Sequence, residues 1–193
     1  MKEKRYAPLE TAFLAEEIGY TGAELRSHFV REKSGIVWDG AVAFIGACGV
    51  SGSRLVDIED AEEQHEIVSK RMLHFIVEHF QQPLREGNVR LRLFAAIVKE
   101  TLEEMSPGVA VKRDGDDLYV NGRKLTVAIC TASILSTLFH YGINVNPAGA
   151  PVAAVGLNKF DIDPKQFGAA VLDRYERECE SIERAIRKVR GVS

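Results

Sequence analysis

The sequence predicts a single α+β domain over residues 1–193, in which helices flank a mostly antiparallel sheet. Three observations predict this class: apolar residues recur at helical spacing in four stretches, short β-rich runs are separated by turn signals, and no repeat or linker divides the chain. With 193 residues, of which 46% are hydrophobic and 27% charged, the chain can bury one substantial core.

The first helical stretch covers residues 8–32, and the sequence GYTG at residues 19–22 interrupts it. Thr21 and Glu24 form a capping box at that point, because a threonine side chain can bond the backbone three residues on while the glutamate bonds back. The pattern therefore predicts one helix in two pieces.

Two short strands are predicted next, in GIVWDGAVAFIGA at residues 35–47. Asp39-Gly40 separates their apolar runs as a type I′ hairpin turn does. A loop of small residues, GACGVSGSR at residues 46–54, follows, and LVDIED at residues 55–60 is predicted to be extended. In an extended segment Asp57 and Glu59 point to the same face, where two carboxylates either face water or bind a cation.

A second, long helix is predicted to begin at the capping box of Asp60 and Glu63 and to end at Pro83. Its apolar face consists of Val68, Met72, Phe75, Ile76 and Phe80. It would carry three histidines: His65, His74 and His79. Because HEIVS at residues 65–69 lacks the second histidine of the zinc-binding HExxH motif, we expect these histidines to be structural.

The second half of the chain predicts two helices and a set of strands. A helix over residues 88–105 stops at Ser-Pro-Gly, and VAVKRD, DLYV and RKLTVAI follow as strands, the last two joined by the hairpin signal Asn121-Gly122. Residues 139–145 supply one more strand. Asp163 caps a final helix with Pro164 at its first position. The apolar stripe of that helix is Phe167, Val171, Tyr175, Cys179, Ile182, Ile186 and Val189.

Composition excludes several classes of function. A formal charge of −3 gives no global attraction for nucleic acid or for an acidic membrane surface. The three cysteines, Cys48, Cys130 and Cys179, form no CxxC pair, which argues against a disulfide framework or a zinc ribbon. No apolar run is long enough for a bilayer span, and the N-terminus lacks a signal peptide's apolar core. We expect a cytoplasmic protein with no bound metal of its own.

Lys124 and the glycine-containing loop at residues 46–54 are the candidates for binding a ligand. Lys124 sits beside a turn in a segment otherwise built for burial, so it is either a solvated turn flank or a cation that meets a phosphate or carboxylate. The loop at residues 46–54 could hold an anion with backbone N–H groups, although it matches neither the P-loop nor the GxGxxG spacing. No GxSxG motif supports a hydrolase triad.

DDLYVNGRKLTVAI at residues 116–129, followed by HYGINVN at residues 140–146, resembles the central stretch of the biotin and lipoate protein ligase superfamily. Over the whole chain, VDIED, HFIVEHF and KLTVAICTAS resemble a prokaryotic family of unknown function that is distantly related to those ligases. The resemblance implies the ligase-like fold, which is related to class II synthetases. It also implies a small carboxylic acid as the ligand, with ATP and Mg²⁺ as cofactors.

The resemblance further implies roles for individual residues. Lys124 would contact the acyl carboxylate and an adenylate phosphate, and Asp117 would orient Lys124 or a Mg²⁺ ion. The remaining ligand-binding set is Gly46, Gly49, Gly52, Ser53, Arg54, Ser133 and Asn144. The loop at residues 46–54 departs from the ligases, because it has one arginine where they have a loop rich in arginine and glycine.

Two functions remain open from the sequence. One is a ligase-like or acyltransferase-like enzyme, and the other is a non-catalytic ligand-binding or assembly protein on the same scaffold. In either case we expect a homo-oligomer built on a dimer, because a largely antiparallel sheet has edges to protect.

Overall fold

The structure is a computed structural model that describes residues 8–192. The strands are β1 (Glu10–Phe13), β2 (Gly40–Val50), β3 (Ile67–Phe80), β4 (Val111–Asp114), β5 (Asp117–Val120), β6 (Arg123–Lys124), β7 (Thr126–Ala132) and β8 (Ser136–Asn146). The helices are α1 (Phe29–Ser34), α2 (Ile58–Glu62), α3 (Leu84–Met105) and α4 (Pro164–Arg187). None of the helices in this part of the chain could cross a membrane.

The main sheet has five strands in the order β1-β2-β3-β8-β7, and β4, β5 and β6 form a smaller sheet of three. Strand β1 runs parallel to β2, and every other pair of neighbouring strands is antiparallel. The predicted α+β class with a mostly antiparallel sheet is therefore confirmed.

Both faces of the main sheet are covered. Helices α3 and α4 pack on one face, where the core includes Leu73, Phe75, Val77, Phe94, Phe139, Tyr141 and Tyr175. The segment between β1 and β2, with α1, covers part of the other face, where the core includes Tyr20, Phe29, Phe44, Met72 and Ile76. Strands buried on both sides read as continuous apolar runs rather than as an alternation of apolar and polar residues.

The long helix predicted between Asp60 and Pro83 is wrong, because most of that segment is strand β3. Met72 and Ile76 face one layer of the core and Phe75 faces the other, so the helical spacing of these residues is a coincidence of burial on both faces. His74 and His79 consequently lie on opposite faces of a strand, not on a helix.

The helix predicted over residues 8–32 is also wrong. The Thr21 N–H donates to Glu24 Oε2 at 2.7 Å as a capping box requires, yet no helix starts there. The backbone of this segment instead bonds the edge of β2: Leu14 donates to the carbonyl of Ala43, and Ile18 donates to that of Ile45. These contacts link residues far apart in sequence, which no local pattern reveals.

Residues 35–60 differ from prediction in three places. Asp39-Gly40 is not a hairpin turn, because Gly40 begins β2 and the Asp39 carboxylate accepts a hydrogen bond from the Phe80 N–H at 2.9 Å. Residues 46–50 of the predicted small-residue loop belong to β2. In LVDIED, Asp57 is the N-cap of α2, so it does not share a strand face with Glu59.

Most elements of the second half agree with prediction, but RKLTVAI, predicted as one strand, divides between β6 of the smaller sheet and β7 of the main sheet. Asn121 and Gly122 both have positive φ, as a type I′ turn requires, and the Asp163 side chain accepts from the Gln166 N–H at the start of α4. Cys179 is buried as expected. The stripe of α4 continues past the core, however, because Ile186 is 62% exposed and Val189 is 70% exposed.

Candidate functional site

A cleft of about 960 Å³ opens along the β7 edge of the main sheet, and Asn88 and Arg92 of α3 contribute to its lining. Its floor comes from β3, β7 and β8, including Met72, Val127 and Asn144. Residues 64–68, with Asp57 and Asp60, form one wall, and residues 150–152 with Ala154 contribute to the rim. The charged side chains Arg92, Asp116, Asp117 and Lys124 lie around the same opening.

A smaller cavity of about 40 Å³ adjoins the cleft and shares with it Asp57, Asp60, Ile67, Val127, Ala128 and Ile129. Its other lining residues are Tyr20, Val50, Arg54, Leu55, Val56 and His140. Most of this lining is apolar, so the cavity is suited to the end of a ligand rather than to a highly charged group.

Lys124 is held at the cleft by backbone pairing on both sides. Its N–H donates to the Ala153 carbonyl at 2.9 Å, and its carbonyl accepts from the Val155 N–H at 3.0 Å. Its ammonium nitrogen lies 2.8 Å from Asp117 Oδ2 on the neighbouring strand. Arg123 is exposed and does not line the cleft, as expected for two successive residues of a strand.

The position of Asp117 is fixed by contacts between β5 and the main sheet. The Leu118 N–H donates to Thr126 Oγ1 at 2.8 Å, and the Tyr141 hydroxyl donates to the Asp116 carbonyl at 2.9 Å. The Tyr119 hydroxyl also donates to Asp117 Oδ2, at 3.3 Å. The carboxylate therefore has two donors, one of which is the ammonium group of Lys124.

Burial by itself would lower the pKa of Lys124, but the hydrogen bond and the negative charge of Asp117 outweigh burial and leave that pKa raised. The lysine is thus a permanent cation at the cleft. An ammonium group of this kind can meet a carboxylate or a phosphate through charge-assisted hydrogen bonds.

Carboxylates outnumber cations around the cleft. Arg92 is already paired with Asp116 at 2.8 Å, and Asp57, Asp60 and Glu66 add negative charge. Within residues 8–192, no group of three or more histidine, cysteine, aspartate or glutamate side chains is arranged to hold a metal ion. A polyanion would therefore meet repulsion here unless a divalent cation accompanied it.

Three of the residues expected to bind the ligand or act on it line the cleft together: Lys124, Asp117 and Asn144. Arg54 lines the adjoining cavity, where its Nη1 donates to Thr21 Oγ1 at 2.7 Å. Sequence reasoning thus brings together a cation, its carboxylate partner, an amide on the floor and one arginine.

The other expected residues line neither space: Gly46, Gly49, Gly52, Ser53 and Ser133. Gly46 has a packing role, because a Cβ atom there would lie 1.9 Å from the Ile18 carbonyl oxygen. Ser133 closes the turn between β7 and β8, where its hydroxyl donates to the Ser136 carbonyl at 3.1 Å.

Sequence reasoning missed a pair of buried histidines beneath the cavity. His74 Nδ1 and His140 Nε2 lie 3.0 Å apart, and the ring of Tyr20 stacks on His140 with 3.7 Å between centroids. Gly142 makes room for the His140 ring and for Met72, because a Cβ atom there would lie 3.1 Å from His140 Cε1 and 2.4 Å from the Met72 sulfur. Only the register of β3 against β8, which places His140 opposite Ile76, reveals the pair.

Both imidazoles are neutral at physiological pH. Burial lowers the pKa of His74 to about 3, and the backbone of Gly46 and Ala47 partly opposes that shift. Burial, with His74 beside it, also places the pKa of His140 well below its ordinary value. His74 Nε2 is buried and has no hydrogen-bond partner of regular geometry among residues 8–192. The nearby backbone therefore affects the pKa of His74 but does not form a regular hydrogen bond with this nitrogen.

Comparison with known proteins gives both close and distant similarities. A family model described as a domain of unknown function, DUF366, matches residues 9–190. The uncharacterised protein MJ0805 of Methanocaldococcus jannaschii is 34% identical over an alignment of 185 residues that covers 91% of this chain and 82% of that protein. A protein of unknown function from Pyrococcus horikoshi has a solved structure with TM-score 0.90 and 36% identity, covering 96% of this chain and 100% of that one.

More distant structures share the fold. The biotin protein ligase from Aquifex aeolicus, solved in complex with biotin and ATP, has TM-score 0.59 at 17% identity over 90% of this chain and 71% of its own. The protein Ta0514 from T. acidophilum, solved with bound lipoic acid, has TM-score 0.56 at 14% identity over 89% of this chain and 86% of its own. At these identities the similarity extends to the fold alone.

Proposed function

The chain belongs to the DUF366 family, and we propose that it binds a small carboxylic acid in the cleft, with Lys124 as the partner of the carboxylate. The ion pair of Lys124 and Asp117 at the opening carries this proposal, because it supplies a fixed cation beside a space large enough for a metabolite. The fold supports it, since relatives of the same fold have been solved with biotin and with lipoic acid.

In the proposed complex, the Lys124 ammonium donates to the acid's carboxylate while Asp117 keeps the lysine oriented. A hydrogen bond between charged partners contributes about 1.5 to 3 kcal/mol. Asn144, on the floor of the cleft, adds an amide that can donate or accept.

We further propose that the acid is activated with ATP. The carboxylate oxygen would bond to the α-phosphorus as the bond to the pyrophosphate leaving group breaks, which gives an acyl-adenylate and pyrophosphate. Asp116 and Asp117 offer oxygen ligands of the kind that Mg²⁺ prefers, and the excess of carboxylates at the cleft suits a nucleotide that arrives with its metal. Lys124 would stabilise the charge that develops on the phosphate.

Titration calorimetry with biotin, lipoate and octanoate, each with and without ATP and Mg²⁺, tests the proposal. We expect one of these acids to bind, and Lys124→Ala to weaken its binding at least tenfold. Arg123→Ala is the matched control, because it removes a neighbouring cation that points away from the cleft, and it should leave affinity unchanged. Loss of binding in Arg123→Ala with normal binding in Lys124→Ala would overturn the assignment of Lys124.

The contacts and exposure of Arg54 favour a second candidate function, which is ligand binding or assembly without catalysis. Its guanidinium is exposed and donates to Thr21, so few cations remain for a polyphosphate. Pyrophosphate release separates the two candidates. Release that depends on the acid and disappears in Lys124→Ala supports the ligase, whereas acid binding without release supports the second candidate.

We also propose that the protein acts in the cytoplasm as a homo-oligomer built on a dimer. Strands β1 and β7 form the edges of the main sheet, and an unpaired strand edge is a ready site for association. A monomeric mass by light scattering at micromolar concentration would contradict this proposal.

A further inference from the structure

The cavity of about 40 Å³ that adjoins the cleft is lined mostly by apolar residues, together with one buried imidazole and the charged residues Arg54, Asp57 and Asp60. Val127, Ala128, Ile129 and Ile67 line both spaces, so a chain lying on the cleft floor has an apolar path toward His140. At this volume the cavity admits a few heavy atoms and no more.

His140 is 2% exposed, and among residues 8–192 its one hydrogen bond is the contact with His74 at 3.0 Å. A neutral imidazole has one N–H donor and one lone pair, and the contact between the rings uses one nitrogen of each. The second nitrogen of His140 therefore needs a partner from elsewhere. The ring itself is held firmly, since Tyr20 stacks on it.

Leaving that nitrogen against hydrocarbon would be unfavourable, because a buried polar group without a partner costs about 1 to 3 kcal/mol. A ligand whose far end is a plain alkyl chain would impose this cost. A ligand that ends in a small polar group would remove it. A hydroxyl group can bond either tautomer of His140, since a hydroxyl both donates and accepts.

We infer that the acid bound in this cleft carries a small hydrogen-bonding group, such as a hydroxyl or an amide, at the end opposite its carboxylate, and that this group bonds His140. The inference rests on the proposed function, which places the carboxylate at Lys124.

The strand register supports a ligand of medium length. Ile129 pairs with His140 and lies five residues beyond Lys124 along the chain, which corresponds to about 16 Å of extended backbone. Lys124 lines the cleft and His140 lines the adjoining cavity. Both side chains therefore extend into the connected spaces, and the distance that a ligand must span is shorter than the distance along the backbone.

Two acids of equal size test the inference: octanoic acid, and ω-hydroxyheptanoic acid, in which a hydroxyl replaces the terminal methyl group. By calorimetry we expect the wild-type protein to bind the hydroxy acid about tenfold more tightly, which corresponds to about 1.4 kcal/mol. His140→Phe should lose this preference. His28→Ala, which changes an exposed histidine outside both spaces, should retain it.

NMR of the histidine ring nitrogens gives a measurement that needs no variant. The His140 signals should shift on addition of the hydroxy acid and not on addition of octanoic acid. If both acids bind the wild type equally and both depend on Lys124, the proposed function stands and this inference is overturned. If neither acid binds, both fail.

Discussion

Buried histidines lie on opposite faces of the main sheet, His79 on one face and the pair of His74 and His140 on the other, and they differ in how many of their ring nitrogens have a hydrogen-bond partner. On the face covered by α4, His79 Nδ1 lies 2.9 Å from Asp39 Oδ2 and His79 Nε2 lies 2.8 Å from the Tyr175 hydroxyl. On the cleft face, His74 and His140 share one contact, and His74 Nε2 has no partner among residues 8–192.

The difference separates a histidine whose hydrogen bonds are all formed within the fold from a pair that retains unused hydrogen-bonding capacity. His79 joins the loop before β2 to helix α4 through two hydrogen bonds, so its polarity contributes to folding. The pair of His74 and His140 retains hydrogen-bonding capacity that folding does not use, and buried groups of that kind are unfavourable unless something else requires them. Only the second group lies next to a cavity that shares its walls with the cleft.

The largest effect should come from breaking the satisfied group. His79→Phe leaves the Tyr175 hydroxyl and one Asp39 oxygen without their partner, and we expect it to reduce the free energy of unfolding by about 3 kcal/mol. His140→Phe removes a poorly satisfied imidazole, so we expect a loss of about 1 kcal/mol or less. Urea denaturation of the two variants measures both values. A larger loss for His140→Phe would contradict the comparison.

A smaller effect should appear on acidification. In the unfolded chain a histidine has a pKa near 6.5, whereas burial lowers that of His74 to about 3 in the folded protein. Between these values the unfolded chain binds more protons, so stability is full above pH 6.5 and falls as the pH drops toward 3. At pH 5 the loss from His74 is about 2 kcal/mol relative to pH 7.

The double variant His74→Phe, His140→Phe isolates the contribution of these two histidines to the pH dependence of stability. It retains the other titrating groups and removes the two depressed imidazoles, so its unfolding free energy should depend less steeply on pH between 7 and 5. Urea denaturation at several pH values compares the two proteins. Equal slopes for the variant and the wild type would show that the imidazoles are not neutral in the folded state.

The sequence predicts some elements of the fold correctly and others wrongly, and the difference depends on whether local signals define the element. Local signals were sufficient where a turn or cap defines an element, as at Asn121-Gly122 and at Asp163, and these placed β5 to β8 and α4. The segment before β2 was missed because its backbone bonds strand β2 rather than itself. Strand β3 was mistaken for a helix because burial on both faces removes the alternation that marks a strand.

The residues of the candidate site also fall into two classes: those that lie close together in the sequence, and those that only the tertiary fold brings together. Lys124 and Asp117 lie on either side of one short hairpin, so a local motif finds them together. His74 and His140 are 66 residues apart and meet only through the pairing of β3 with β8. Arg92 comes from α3, and its contact with Asp116 likewise depends on packing between elements.

The smallest effect on stability should come from the lysine at the cleft opening. Its ion pair with Asp117 is partly exposed, and such pairs contribute about 1 kcal/mol at most. We expect Lys124→Ala to change the free energy of unfolding by about 0.5 kcal/mol or less, the range of ordinary surface substitutions. Urea denaturation of this variant, with Arg123→Ala as control, measures the change. A residue that serves ligand binding need contribute little to the stability of the fold. A loss of unfolding free energy as large as that of His79→Phe would therefore show that Lys124, like His79, stabilises the fold.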